Sequence, residues 1–138
     1  MFKAKNQIVL IIGCGRLGAA LAGLLSERNC VVTVIDREKP AFDRLPPSFS
    51  GAAVTGDAAD VNTLVAAGVG EADAVILMTG NDNVNLFVAQ IAKEIYRTPK
   101  VVSRLSDPER EAAYGAFGVR ALSASLFAAK DFAEEVIS

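Results

Sequence analysis

Six short apolar runs rich in β-branched residues recur along the chain, each but the last followed by a segment that turns back toward it. They are QIVLII (7–12), VVTVID (31–36), AAVTG (52–56), AVILMT (74–79), KVVSRL (100–105) and RALSA (120–124). Such runs lack the polar alternation of a strand with one wet face, so the sheet they form must be covered on both sides. The intervening segments carry the spacing that can cover it. Leu17, Leu21, Leu24 and Leu25 recur at three and four residues, and so do Val84, Val88, Ile91 and Ile95, in a helix that begins near Val84. A further helix follows Asp60 as N-cap and stops near Gly68. Another opens at Asp107-Pro108 and ends near Gly118. Ser125 caps a closing helix that carries Leu126, Ala129, Phe132, Ala133 and Val136 on one side.

Parallel strands joined by helices make right-handed crossovers, and that rule leaves few topologies. The expected fold is α/β, a single doubly wound Rossmann-type parallel sheet of about six strands with helices on both faces. The segment REKPAFDRLPPSFSG (37–51) is confined by Pro40, Pro46 and Pro47 to a short helix or loop. At 138 residues the chain reads as one domain, 1–138, large enough for a core of its own.

The first strand runs into GCGRLG (13–18) before a helix begins. In a strand-to-helix turn of this kind Gly13 makes the turn and Gly15 lets the backbone approach a phosphate. Gly18 lets the helix pack on the strand. The helix N-terminus then points its free N–H groups and positive dipole end at that phosphate. Asp36 closes the second strand, 23 residues after Gly13, where a carboxylate can accept both ribose hydroxyls. The bland alternative is a glycine turn with Asp36 as a surface acid. A carboxylate at the ribose repels a 2′-phosphate, which disfavours NADP. Arg37 either softens that repulsion or is solvated.

Arg16 stands in the first helical turn, where the helix dipole disfavours a cation by ~0.3–1 kcal/mol. An anion opposite it would reverse that sign; otherwise it is a tolerated surface arginine. GDAAD (56–60) leaves the third strand where an adenine would lie, with Asp57 and Ala58 either reading the base or forming a turn and cap. In MTGNDNVNL (78–86), Thr79, Gly80, Asn81, Asp82, Asn83 and Asn85 can bond a ribose or phosphate, cap the next helix, or both. Arg104 interrupts an apolar strand and needs a partner unless it snorkels from an edge.

The remaining composition excludes several classes. A net charge of −2 without a basic stripe argues against nucleic acid as the main partner. Apolar runs of about six residues are far too short to insert in a membrane. Met1 to Gln7 lacks the apolar core of a signal peptide. Two cysteines, Cys14 and Cys30, make no disulfide framework and fit a reducing cytoplasm. With no histidine, a dehydrogenase would have to take its proton donor from Tyr96, Tyr114 or a lysine, none in a recognisable pairing. No catalytic residue and no metal ligand set emerges.

Taken together, IVLIIGCGRLG, VTVID, TGDAAD, ADAVILMTGNDNVNLFVAQIAKE, VVSRLSDPE and FGVRALSAS resemble the RCK or TrkA-N nucleotide-binding domain. That domain belongs to the cytoplasmic regulators of Trk and Ktr type potassium uptake. The resemblance runs from about Gln7 to the end of the chain. It implies that Gly13, Cys14, Gly15, Arg16, Leu17 and Gly18 form the phosphate turn, with Arg16 at the distal phosphate of ATP or the pyrophosphate of NAD. It implies further that Asp36 and Arg37 surround the adenosine ribose, that Asp57 and Ala58 contact adenine, and that Thr79, Gly80 and Asn81 meet the middle of the ligand. Arg104 would face the pocket or a neighbouring subunit. The cofactor would be NAD/NADH or ATP/ADP. The partners would be a membrane potassium transporter or channel subunit and further copies of the chain, as a homodimer or a ring of eight. The last helix, about 126–137, would cross to one of those copies. The family's second small lobe does not follow before Ser138, so the chain is either a piece of a longer regulator or a single-lobe one. The function expected is a cytoplasmic, non-enzymatic gating subunit, peripheral to the inner face of the membrane through its transporter, whose shape changes with the nucleotide. The alternative is a detached NAD-binding domain of an oxidoreductase.

Overall fold

A computed structural model describes residues 6–124 and 128–138. Strand β1 (Ile8–Ile12) leads into helix α1 (Arg16–Glu27) and β2 (Val31–Asp36), and a 3₁₀ turn over Lys39–Arg44 precedes β3 (Ala52–Thr55). Helix α2 (Val61–Ala66) returns the chain to β4 (Ala74–Leu77). Then come α3 (Asp82–Gln90), β5 (Lys100–Leu105), α4 (Glu111–Gly115), β6 (Arg120–Ser123) and α5 (Ala129–Ile137). The order across the sheet is β3-β2-β1-β4-β5-β6, with every pairing parallel. This is the doubly wound, six-stranded sheet expected from the sequence.

Alternate residues of β1, β2, β4 and β5 enter opposite cores, whereas the edge strand β3, expected from its apolar run to be covered, is largely exposed and packs only through Val54. Val9, Ile11, Val32, Val34, Ile76 and Val102 meet α1 and α5 through Leu21, Leu25, Phe132 and Val136. Leu10, Ile12, Ile35, Val75, Leu77 and Val101 meet α2, α3 and α4 through Leu64, Val88, Ala89 and Tyr114. Each such aliphatic side chain contributes ~1.5–3 kcal/mol on full burial. The two-sided cover explains why the central strands carry no polar alternation.

Three boundaries differ from the sequence expectation. The helix expected from Asp107-Pro108 to near Gly118 opens as a 3₁₀ turn over Pro108–Arg110, with Asp107 accepting the Glu109 N–H at 3.0 Å, and is α4 only over Glu111–Gly115. Helix α3 begins at Asp82, because the Asn81 side chain accepts the N–H groups of Asn83 (2.9 Å) and Val84 (3.2 Å) and so starts the helix before its first apolar residue. The described part of the closing helix begins at Ala129. Its start is fixed by Asp131, whose Oδ2 accepts the Ala128 N–H at 2.8 Å. The expected cap Ser125, with Leu126 and Phe127, lies outside the described residues. Asp60 caps α2 as expected, accepting the Asn62 N–H at 2.9 Å.

At the far end of α3 the helix widens into a π turn over Ile91–Ile95, and Thr98 follows with its N–H on the Ala92 carbonyl at 2.9 Å. The Thr98 hydroxyl is buried without a hydrogen-bond partner among the described residues. Replacing a buried, unpaired hydroxyl by a methyl removes a desolvation cost of ~1 kcal/mol. Thr98→Val should therefore raise the thermal midpoint by about 3 °C. A lower midpoint in calorimetry would show that the hydroxyl has a partner.

Candidate functional site

The strand order reverses between β1 and β4, and a cleft of about 470 Å³ opens there at the carboxyl ends of the strands. Asp36, Arg37, Glu38, Gly56, Asp57 and Ala58 line one end, and Ile12, Gly13, Cys14, Gly15 and Ile35 the middle. Met78, Thr79, Gly80, Asn81, Val84 and Arg104 line the other end. Eleven of the fourteen residues singled out from the sequence thus share one cavity. Arg16, Leu17 and Gly18 are not among its lining.

Each of those three has a local reason. Arg16 is exposed at the first position of α1. Leu17 packs against the core under α1. A Cβ at Gly18 would stand 2.2 Å from the Gly13 carbonyl oxygen, so this glycine is what lets α1 lie against the turn. Gly13 itself has φ +106°, and a Cβ there would lie 2.9 Å from the backbone of Met78 and Thr79. Gly15 differs from both: a Cβ there would meet nothing within 4 Å, at the edge of the cleft.

The turn's donors are unevenly used. The Gly13 N–H extends the sheet to the Ile35 carbonyl at 2.8 Å, and the Cys14 N–H bonds Asp36 Oδ2 at 2.8 Å. Asp36 Oδ1 accepts the Glu38 N–H, also at 2.8 Å. The carboxylate is thereby held at the end of β2, and each oxygen keeps a second acceptor position. No side chain caps α1, and its first turn holds no acid, so its leading N–H groups and dipole remain available to an anion.

Arg104 supplies the sharpest electrostatic feature. It lines the cleft from β5, and its Nε is buried without a hydrogen-bond partner among the described residues. A guanidinium in that state favours an anion beside it. At the opposite end Arg37 and Asp57 are exposed, and Asp57 Oδ1 accepts the Ala59 N–H at 2.9 Å. Ala58, by contrast, is buried in the core that α2, α3 and α4 cover. The Cys14 thiol is pushed up by burial and further by the Asp36 carboxylate, against a smaller opposing effect of Arg44. It stays protonated at neutral pH and is a poor nucleophile. No group of three or more His, Cys, Asp or Glu that could hold a metal occurs among the described residues, and no helix among them is long and apolar enough to cross a membrane.

Sequence reasoning missed some of this. Arg44 reaches from the 3₁₀ turn to the Cys14 carbonyl at 3.3 Å, a contact across 30 positions with no local signal. Asn85 is fully buried and lies behind the cleft rather than in it. Its spacing with Val88, Ala89 and Ala92 marks the inward face of α3 and could have revealed this.

Three comparisons fit the geometry. The TrkA-N domain model matches residues 9–124. The Trk system potassium uptake protein TrkA of Streptomyces coelicolor is 40% identical over 111 residues, 80% of this chain and 50% of that protein. This chain therefore spans about half the length of that relative. The crystal structure of the GsuK RCK domain superimposes with a TM-score of 0.76 at 25% identity, over 99% of this chain and 29% of the other. The TrkA-N domain of the inner membrane protein ybaL from Escherichia coli shares the fold, with a TM-score of 0.77, 19% identity and coverage of 98% and 97%. With a cleft at the sheet's switch point and a family match over most of its length, this chain belongs to the TrkA-N domain family.

Proposed function

We propose that the cleft binds an adenine nucleotide, NAD/NADH or ATP/ADP, and that the chain is a non-enzymatic regulatory domain of a potassium transport system. The observation that carries the ligand class is Arg104, a guanidinium at one end of the cleft with a buried, unpaired Nε. Between it and Asp36 lie the uncapped start of α1 and the open face of Gly15. A ligand with hydroxyls at one end and phosphate further along satisfies all four features. Asp36 would accept the ribose hydroxyls, Gly15 would let the phosphate approach, and Arg104 would pair with its charge. A 2′-phosphate would meet the Asp36 carboxylate, which disfavours NADP. Arg16, at the rim, is left to act on a tail that leaves the cleft.

The potassium transport role draws its support from the Streptomyces relative and the GsuK RCK domain. In this reading the partner is a membrane transporter or channel subunit, the chain acts on its cytoplasmic side, and copies of the chain assemble with one another through α5. A nucleotide shifts such an assembly only by its differential affinity for the two states.

Titration calorimetry with NAD, NADH, ATP, ADP and AMP tests the ligand class, and binding of none of them would overturn it. Asp36→Ala should weaken all five by about tenfold or more, since hydrogen bonds to a charged group are worth ~1.5–3 kcal/mol. An unchanged affinity would remove Asp36 from the site.

A further inference from the structure

Asn85 does not touch the cleft, yet it joins the two segments that form its phosphate end. Its Oδ1 accepts the Thr79 N–H (3.3 Å) and the Thr79 hydroxyl (2.5 Å), and its Nδ2 donates to the Thr79 carbonyl (3.0 Å) and the Arg104 carbonyl (3.4 Å). The residue is 0% exposed, and one carboxamide serves four backbone or side-chain groups there. The last residues paired between β4 and β5 are Leu77 and Ser103. Thr79 and Arg104 lie just beyond that pair, where the strands have no further ladder bonds to hold them together. The Asn85 side chain occupies the place of the missing rung. The Arg104 carbonyl is held a second time by the Ser103 hydroxyl at 2.9 Å.

Thr79 and Arg104 both line the cleft. We propose that Asn85 is a positioning residue, which fixes the Arg104 backbone against the Thr79–Asn81 loop so that guanidinium and loop meet the same phosphate. The inference rests on the nucleotide reading above and adds to it a residue that acts without ligand contact. An asparagine is suited to this because it offers both an acceptor and donors within one planar group. An aspartate of the same shape keeps the acceptor and loses the donors. Asn85→Asp therefore frees the Thr79 carbonyl and leaves the Arg104 carbonyl to the Ser103 hydroxyl alone, which does not tie it to the Thr79 loop, with little change of volume.

The test compares the 138-residue chain with Asn85→Asp, using ADP, NAD and adenosine as probes at a temperature where both proteins are fully folded. Wild type binding none of the three would overturn the nucleotide reading itself. Given wild-type binding, the variant should lose about tenfold or more for ADP and NAD and less than about twofold for adenosine, which sits at the Asp36 end. Equal losses for all three, or none, would overturn the positioning role. Should the variant not fold, side-chain amide NMR of the wild type decides. The Asn85 Nδ2 protons should be protected from exchange and should shift with ADP but not with adenosine. Protons that exchange freely, or that ignore ADP, would refute the proposal.

Discussion

Gly18→Ala is expected to cost about 3 kcal/mol of stability, while Gly15→Ala, three residues earlier, leaves stability unchanged and removes nucleotide binding. At Gly18 the new methyl would stand 2.2 Å from the Gly13 carbonyl oxygen. That obstacle is backbone, so no rotamer change relieves it, and α1 has to move away from β1. Overpacking of this kind costs about 1–3 kcal/mol, and the severity of the clash puts this case at the upper end. For a domain of this size the midpoint should fall by roughly 10 °C. Gly15 has φ −75° and ψ −170°, which any residue adopts, and nothing within 4 Å of its added Cβ. Its methyl would enter the space that the proposed nucleotide's phosphate would occupy. Thermal melts and calorimetry on the two variants separate the roles. A Gly15→Ala protein that still binds ADP at wild-type strength would place the phosphate elsewhere.

Arg104→Met should do the reverse of most binding-site lesions: it should stabilise the free protein. The arginine has its Nε buried and unpaired, and a methionine fills a similar volume without a charge to desolvate. The ligand-free midpoint is expected to rise by about 3 °C, equivalent to ~1 kcal/mol. The affinity for ADP, ATP and NAD should fall by about tenfold to a hundredfold, the worth of a charge-assisted contact. The salt dependence of binding should shrink with it. Arg104→Lys keeps the charge but not the planar fork, and should fall between the two. A lower midpoint together with unchanged affinity would make Arg104 a structural residue.

The strands were legible in the sequence because their apolar runs are short, rich in β-branched residues and set between segments of helical spacing, which separates them from buried helix. The glycine turn was legible because Gly13 and Gly18 answer steric demands of their immediate neighbours. What the sequence concealed depends on distant backbone. Asn81 as a cap and Asn85 as a brace look alike in the run NDNVN, and only their places on α3 separate them. Arg16 drew attention by standing among glycines, but in the fold Arg104 holds the position inside the cleft. The 37–51 segment forms the short helix its prolines foretold, yet nothing in its sequence showed that it delivers Arg44 to the Cys14 carbonyl. The proline count there reports chain stiffness and says nothing of where a side chain ends.

The strand order has a mechanical consequence. β1 and β4 lie side by side at the centre, with Leu10, Ile11, Ile12, Val75, Ile76 and Leu77 no more than 1% exposed, and the cleft stands directly on their seam. Prising that seam apart would open close-packed layers on both faces at once, which makes it a stiff line. A ligand seated there cannot report its arrival by parting the sheet. For the proposed nucleotide, motion would have to leave sideways, through the loops after β2, β3 and β4 that line the cleft, while the sheet beneath serves as an anvil. A relay of the proposed kind would carry its message in the pose of its rim, and a neighbour that reads it would rest on those loops.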